Sequence, residues 1–243
     1  MDPMKMEMQT TVSELSSGVW AIDQGMVRSF LIVGTQRALL LDTGAGACDL
    51  LGMIRGITAL PLTLVQTHGD GDHTANSALF PEIFAHPAEF ENICQFRPEL
   101  REKLRPVQEG DRFDLGGRVL AVIDAPGHTP GSICLLDREN RILFSGDTVS
   151  YGPVFLFGKY RDIHTYRKTL LKLMDLEGYD TVYPCHNTCP VTPEIIPELI
   201  AAVDGALDGS IEGVPEDMPM PMPGGEAPLV YASGKCGILY IKN

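Results

Sequence analysis

Residues 67–76 read THGDGDHTAN. Two histidines and two aspartates, His68, Asp70, Asp72 and His73, fall within six positions, spaced by Gly69 and Gly71. Imidazole nitrogens and carboxylate oxygens are the common protein ligands of zinc, iron and manganese. Glycine lets the backbone take angles closed to other residues and brings neighbouring ligands close. The segment continues an apolar run, LTLVQ at 62–66, that reads as a buried strand. A strand end is a rigid platform for a functional loop. A glycine-spaced cluster at that platform can wrap a metal ion. A single His–Asp pair there could equally be a capped turn, so the case depends on how many such segments the chain holds.

It holds several. His128 lies in APGHTPGS (125–132), Asp147 in LFSGDTV (143–149), His186 in YPCHN (183–187) and Asp42 in LLLDTG (39–44). Most follow a short apolar run, and loops leaving one edge of a packed sheet converge. The order and spacing of these motifs resemble the metallo-β-lactamase superfamily. Its pattern is His-x-His-x-Asp-His, then a histidine in a P-G-H-T-P-G loop, an aspartate in S-G-D, and a last histidine. The resemblance runs from about residue 15 to 200; its motifs are specific for the fold and unspecific for the substrate.

The resemblance implies an α/β fold, the four-layer αβ/βα sandwich, with two central sheets and helices outside. It implies a two-metal site along one sheet edge. By position, His68, Asp70 and His128 would hold the first metal, Asp72, His73 and His186 the second, and Asp147 would bridge them. Asp42 would steady a ligand loop through hydrogen bonds. His86 and His164 read as structural or surface residues.

At Asp70 the chain departs from the pattern, which has histidine there. The acid remains a competent ligand but adds negative charge and harder oxygen ligation. Zinc is the expected ion, and the carboxylate also admits iron or manganese. An acid at this position also resembles the flavodiiron branch, His-x-Glu-x-Asp-His, whose flavodoxin-like second domain this chain has no length for. All seven expected ligand positions hold competent side chains, which disfavours a degenerate site.

Two close divalent ions suit hydrolysis, because they lower the pKa of a water between them and stabilise charge on the attacked oxygen and leaving group. The expected function is therefore a metal-dependent hydrolase acting on a small ester, thioester, lactone or phosphoester, with Asp72 as the catalytic residue that orients the nucleophile. PGHTPGS, S-G-D-T and a helix near 164–177 look most like the thioesterase and lactonase side of the superfamily, including hydroxyacylglutathione hydrolases. Lys159 and Arg161 could receive a substrate carboxylate or phosphate. Tyr151, Phe155 and Phe157 could form an apolar wall; loop packing explains all five equally well. The alternatives are a non-haem iron redox enzyme, persulfide-dioxygenase-like or flavodiiron-like, and a non-catalytic metal-stabilised binding protein.

The rest of the chain sets limits. It has 243 residues, 44% hydrophobic and 21% charged, with a formal net charge of −13. That suits one domain spanning 1–243. The acidity argues against nucleic acid or an anionic membrane as partner and leaves a small-molecule substrate; the sequence does not indicate an oligomeric state. The first residues have no apolar core of a signal peptide, no run is long enough to span a bilayer, and six cysteines then read as reduced thiols in cytoplasm. Cys185 and Cys189 flank His186, but a structural zinc knot wants four ligands and no second pair lies nearby.

Strands are expected at 19–23, 29–33, 38–42, 62–68, 82–86, 118–126, 132–137, 141–147, 181–187, 229–233 and 237–242. Helices are expected at 47–57, 87–96, 164–177 and 192–209, the last kinked at Pro197. In the third, Tyr166, Leu170, Leu173, Met174 and Glu177 share a face. The Pro- and Met-rich stretch 212–228 reads as a loop over one face that could line an apolar pocket.

Overall fold

The run ALLL at 38–41 buries every one of its side chains, which requires cover on both faces of the strand. The structure, a computed structural model describing residues 9–216 and 227–241, supplies that cover. A seven-stranded sheet is hydrogen-bonded in chain order. It comprises β1 (Thr11–Ser16), β2 (Val19–Asp23), β3 (Arg28–Val33), β4 (Ala38–Leu41), β5 (Leu62–Val65), β6 (Ile83–Ala85) and β7 (Leu104–Pro106). The first four strands are antiparallel neighbours, and β4 to β7 run parallel.

A second, five-stranded sheet contains β8 (Arg112–Asp114), β9 (Val119–Asp124), β10 (Ile133–Asp137), β11 (Ile142–Gly146) and β13 (Thr181–Pro184), in the order β13-β11-β10-β9-β8. The strand between its last two in sequence, β12 (Gly152–Phe155), belongs to a third sheet with β14 (Val214–Pro215), β15 (Leu229–Ser233) and β16 (Cys236–Tyr240), ordered β12-β16-β15-β14. The two-sheet expectation thus gains a small third sheet.

Side-chain alternation builds the layers. Leu39 and Leu41 of β4, Phe30 and Ile32 of β3, and Ile133 and Leu135 of β10 point into one core between the two large sheets. There Phe30 meets Phe144 edge-on at 5.4 Å and stacks on Tyr183 at 5.9 Å. The intervening residues Leu31 and Leu40 face the other way, onto Leu50 and Ile54 of α1 (Leu50–Ile57) and Ile93 of a further helix, Phe90–Phe96. On the opposite side, Cys134, Leu136 and Leu143 face Tyr166, Leu170 and Leu173 of the helix Ile163–Asp175, and Leu199 and Val203 of the helix Ile196–Asp208. With the four-residue turn Gly71–Thr74 as α2, these three helices are α3, α4 and α5. Helix, sheet, sheet, helix: the expected four-layer α/β sandwich is what forms.

Several expectations change. Pro197 does not kink α5; it lies in the first turn of the helix, where its missing N–H costs nothing. The buried face of α4 carries Ile163 and Thr169 rather than Met174, which is 48% exposed, and Glu177 lies beyond the helix end. The expected helix at 87–96 splits into a 3-10 turn, Pro87–Glu89, and α3. Strands β1, β7, β8, β12 and β14 are not among the expected ones. Of the stretch 212–228, residues 217–226 lie outside the described residues, while Val214–Pro215 pairs with β15. Among the described residues, no helix is long and apolar enough to cross a membrane.

Candidate metal centre

The site forms at the ends of strands from both large sheets. His68 lies three residues past β5, His128 between β9 and β10, Asp147 directly after β11 and His186 two residues past β13. Asp70 begins α2 as its N-cap, yet its side chain makes no capping bond and is spared for the site. Asp72 and His73 follow inside α2. The glycine of this loop has a specific use. A Cβ at Gly69 would lie 2.9 Å from Glu89 Oε2 and Asn92 Nδ2, so only glycine lets the loop settle on that buried pair.

All seven sequence-predicted ligand residues come together. Asp147 lies in the middle, with Oδ2 3.2 Å from His186 Nε2, 3.5 Å from His128 Nε2 and 3.9 Å from His68 Nε2, and Oδ1 3.3 Å from His73 Nε2. Asp70 Oδ2 lies 3.4 Å from His128 Nε2 and 3.7 Å from His68 Nε2. Asp72 Oδ2 lies 3.3 Å from His186 Nε2 and 3.6 Å from His73 Nε2. Two separate sets, His68–Asp70–His128 and Asp72–His73–His186, each bring three ligand atoms within 4.8 Å of one another, and a third, His68–His73–Asp147, shares a histidine with each.

Each histidine is held by its other nitrogen. His73 Nδ1 donates to Asp42 Oδ2 at 2.9 Å, His128 Nδ1 to the Phe155 carbonyl at 2.9 Å, and His186 Nδ1 to the Met26 carbonyl at 2.6 Å. Thr67 donates its hydroxyl to Asp42 Oδ2, so its oxygen accepts from His68 Nδ1 at 2.9 Å. All four rings therefore turn Nε2 inward, the tautomer and orientation that metal ligation requires. His68 Nε2, His128 Nε2 and Asp147 Oδ1 are buried without a hydrogen-bond partner. Buried polar atoms are rarely left so, and these donor types aimed at a common centre fit divalent cations.

The electrostatics agree. Burial opposes charge on Asp70, Asp72 and Asp147, but the adjacent imidazoles outweigh it and hold all three carboxyls below their ordinary range. Burial likewise opposes protonation of His68, His73 and His186, but the facing carboxylates, Asp147 first among those on His73 and His186, raise all three, His186 to about 10. Without a cation, the cluster balances its carboxylates with protons on histidine.

Asp42 is fully buried and accepts from Thr67 N, Thr67 Oγ1, His73 Nδ1 and, at 3.4 Å, Cys185 Sγ. Cys185 thus lies behind the site, its thiol pushed up by burial. Among the described residues, no candidate metal group joins it to Cys189. His86 Nδ1 accepts from Ala88 N as the cap of a 3-10 turn, and His164 is exposed on α4. Lys159 is exposed with its Nζ 4.8 Å from the Tyr160 ring centre, and Tyr151 is half-buried against the α4–α5 core with Lys235 over its ring. Phe155 and Phe157 pack at 5.6 Å, Phe155 partly exposed. Arg161 does not stand free: it pairs with Asp70 Oδ2.

Sequence reasoning missed Glu89. It is fully buried, accepting from Gly69 N and Gly131 N at 2.7 Å each, and so ties the His68 loop to the loop after His128. Its neighbour Asn92 donates to both Glu89 and Asp70. A carboxylate on the inner face of PAEFENICQF was the available signal.

The profile described as the metallo-beta-lactamase superfamily matches residues 22–186, more than half of the chain. The chain belongs to the metallo-β-lactamase superfamily. Among its superfamily relatives is the acyl-coenzyme A thioesterase MBLAC2 of Gallus gallus, 33% identical over 67% of this chain and 74% of that protein. A metallo-beta-lactamase from Pontibacter korlensis superposes with a TM-score of 0.69 at 19% identity, covering 81% of this chain and 99% of that one. TTHA1623, solved in a di-iron-bound form, superposes with a TM-score of 0.56 at 26% identity, covering 70% and 91%.

Proposed function

We propose that this superfamily member is a metal-dependent thioester hydrolase, a single domain spanning residues 1–243 that acts on a small acyl thioester in the cytoplasm. The observation that carries the reading is the ring of inward Nε2 atoms around Asp147, with His68 Nε2, His128 Nε2 and Asp147 Oδ1 buried and unpartnered. The thioesterase relative supports the substrate class.

In this reading His68, Asp70, His128 and Asp147 hold one divalent ion, and Asp72, His73, His186 and Asp147 the other. Zinc suits the imidazoles; iron or manganese suits the carboxylates. Two such ions, when bound, supply a Lewis acid for the thioester carbonyl and a water of lowered pKa. Asp72 is the most exposed of the three inner carboxylates, its side chain 40% accessible against 21% for Asp70 and 12% for Asp147. It therefore faces incoming substrate, orients the water and takes its proton. A leaving thiolate needs little protonation, because thiol pKa values lie near 8.5. Lys159 and Tyr151 are the candidate substrate contacts in this reading.

The test is thiol release from short acyl thioesters by protein loaded with zinc or manganese. Metal-dependent turnover is expected, with kcat falling about a hundredfold or more in Asp72→Asn. Fully loaded protein that releases no thiol would overturn the reading. The three inner carboxylates and the structural neighbour solved in a di-iron-bound form favour one second reading, iron-dependent redox chemistry; oxygen uptake by the iron-loaded protein without thioester turnover would select it.

A further inference from the structure

Asp70 stands where the superfamily pattern has histidine, and the structure gives its carboxylate a partner of opposite charge. The Arg161 guanidinium bonds Asp70 Oδ2, the same oxygen that faces His68 Nε2 and His128 Nε2. Asn92 Nδ2 takes Oδ1 at 3.3 Å. Both oxygens of the acid are thus engaged before any cation arrives. The Arg161 side chain is only 14% exposed, and its Nε is buried without a partner. A charge so placed is poorly screened by solvent.

The fold brings this arginine in deliberately. Arg161 directly precedes Asp162, the N-cap of α4, whose carboxylate accepts from His164 N and Thr165 N. Asp162 N donates to the Gly127 carbonyl at 2.9 Å, joining the arginine segment to the residue before His128. At Gly127 φ is +132°, and a Cβ would lie 2.3 Å from Tyr166 Cα. Only glycine allows α4 to approach closely enough for Arg161 to reach Asp70.

We propose that Arg161 and Asp70 act as one unit that makes the two metal positions unequal. The guanidinium holds Asp70 Oδ2 and repels a cation between His68 and His128, so that position binds weakly. Among the described residues no arginine or lysine pairs with a carboxylate at the position of Asp72, His73 and His186; Arg28, which bonds the Pro184 and Asn187 carbonyls beside it, is neutralised by Asp23, so that position binds tightly. Arg161 is a positioning residue that acts through Asp70. The proposal rests on the two-ion reading above.

The experiment is calorimetric titration of the chelator-stripped full chain with Mn²⁺ alone and with Zn²⁺ alone. Wild type is expected to show two steps; His128→Gln removes the weaker and His186→Gln the tighter, which assigns them. Arg161→Met should tighten the weaker step roughly tenfold or more and leave the tighter one unchanged. Arg161→Lys, which keeps the charge, should stay within about threefold of wild type. Two equal steps in wild type, a weaker step left unchanged or loosened in Arg161→Met, or equal tightening in Arg161→Lys would each overturn the proposal. Titration reads binding without turnover. A wild-type protein that releases no thiol from thioesters yet shows the tightened step in Arg161→Met would therefore fail the hydrolase reading and keep this one.

Discussion

Asp42 shows how a residue away from the reacting centre can govern it. Its backbone sits at φ +63°, a conformation aspartate tolerates better than most residues. From there one carboxylate fixes Thr67, and through Thr67 the His68 ring, while also fixing His73. Oδ1 accepts from Thr67 N and Oδ2 from Thr67 Oγ1 and His73 Nδ1, so an amide at position 42 would set its own N–H against a donor in either orientation. Asp42→Asn is expected to fold and to lose about ten- to a hundredfold in metal affinity, measured by competition with a chromophoric chelator. Wild-type affinity would show that the rings are held without it. The ligands themselves were legible in the sequence, because each is a polar residue just past an apolar run. The role of Arg161 was not. Its partner lies 91 positions away, and nothing local to GKYRDIH distinguishes a surface base from one turned onto a buried acid.

At the level of elements, the legible parts were those whose burial writes a pattern. β2 and β15 match the expected 19–23 and 229–233, and the fully buried β4, β10 and β11 read as apolar runs because sheet and helix cover opposite faces. β1 lies at a sheet edge with mostly exposed side chains, and β7 and β8 are three residues each; such strands are specified by their neighbours' hydrogen bonds and leave no period to detect. Pro197 misled for a related reason: a proline signals a kink or a start, and only the helix boundary tells which. Glu89 belongs to the same class, since its two acceptors matter only once both loops are in place. Glu89→Ala would strand the buried Gly69 and Gly131 amides. It is expected to cost about 2–4 kcal/mol in urea unfolding and to loosen metal binding at His68 and His128 together. Glu89→Gln, which keeps one acceptor oxygen, should cost less. Equal stability of all three proteins would remove Glu89 from any role in joining the loops.

For the molecule as a whole, the cluster couples the two large sheets, because its ligands leave β5 of one and β9, β11 and β13 of the other. A cation bound there stabilises the folded state over the unfolded, by about 2.7 kcal/mol at a hundred times Kd. The sign of its pH dependence follows from the histidines. In the metal-free protein His68, His73 and His186 are raised above their ordinary value, His186 to about 10. Groups raised on folding stabilise fully below the unfolded value near 6.5, and that contribution is lost as pH rises through the folded one. The metal-free protein therefore loses the His186 contribution between about pH 6.5 and pH 10, and those of His68 and His73 as pH rises above about 6.5. Metal binding runs the other way, since each imidazole must shed its proton to ligate, and affinity rises over the same range. The two trends diverge, so the increase in Tm on adding metal should grow steadily from pH 6 to pH 9. Calorimetric melting of chelated and zinc-loaded protein across that range measures it directly. A metal-induced increase that is flat or shrinks with pH would mean that the histidines are already neutral before the cation arrives, and that the charge balance of the cluster is held by Arg161 and solvent instead.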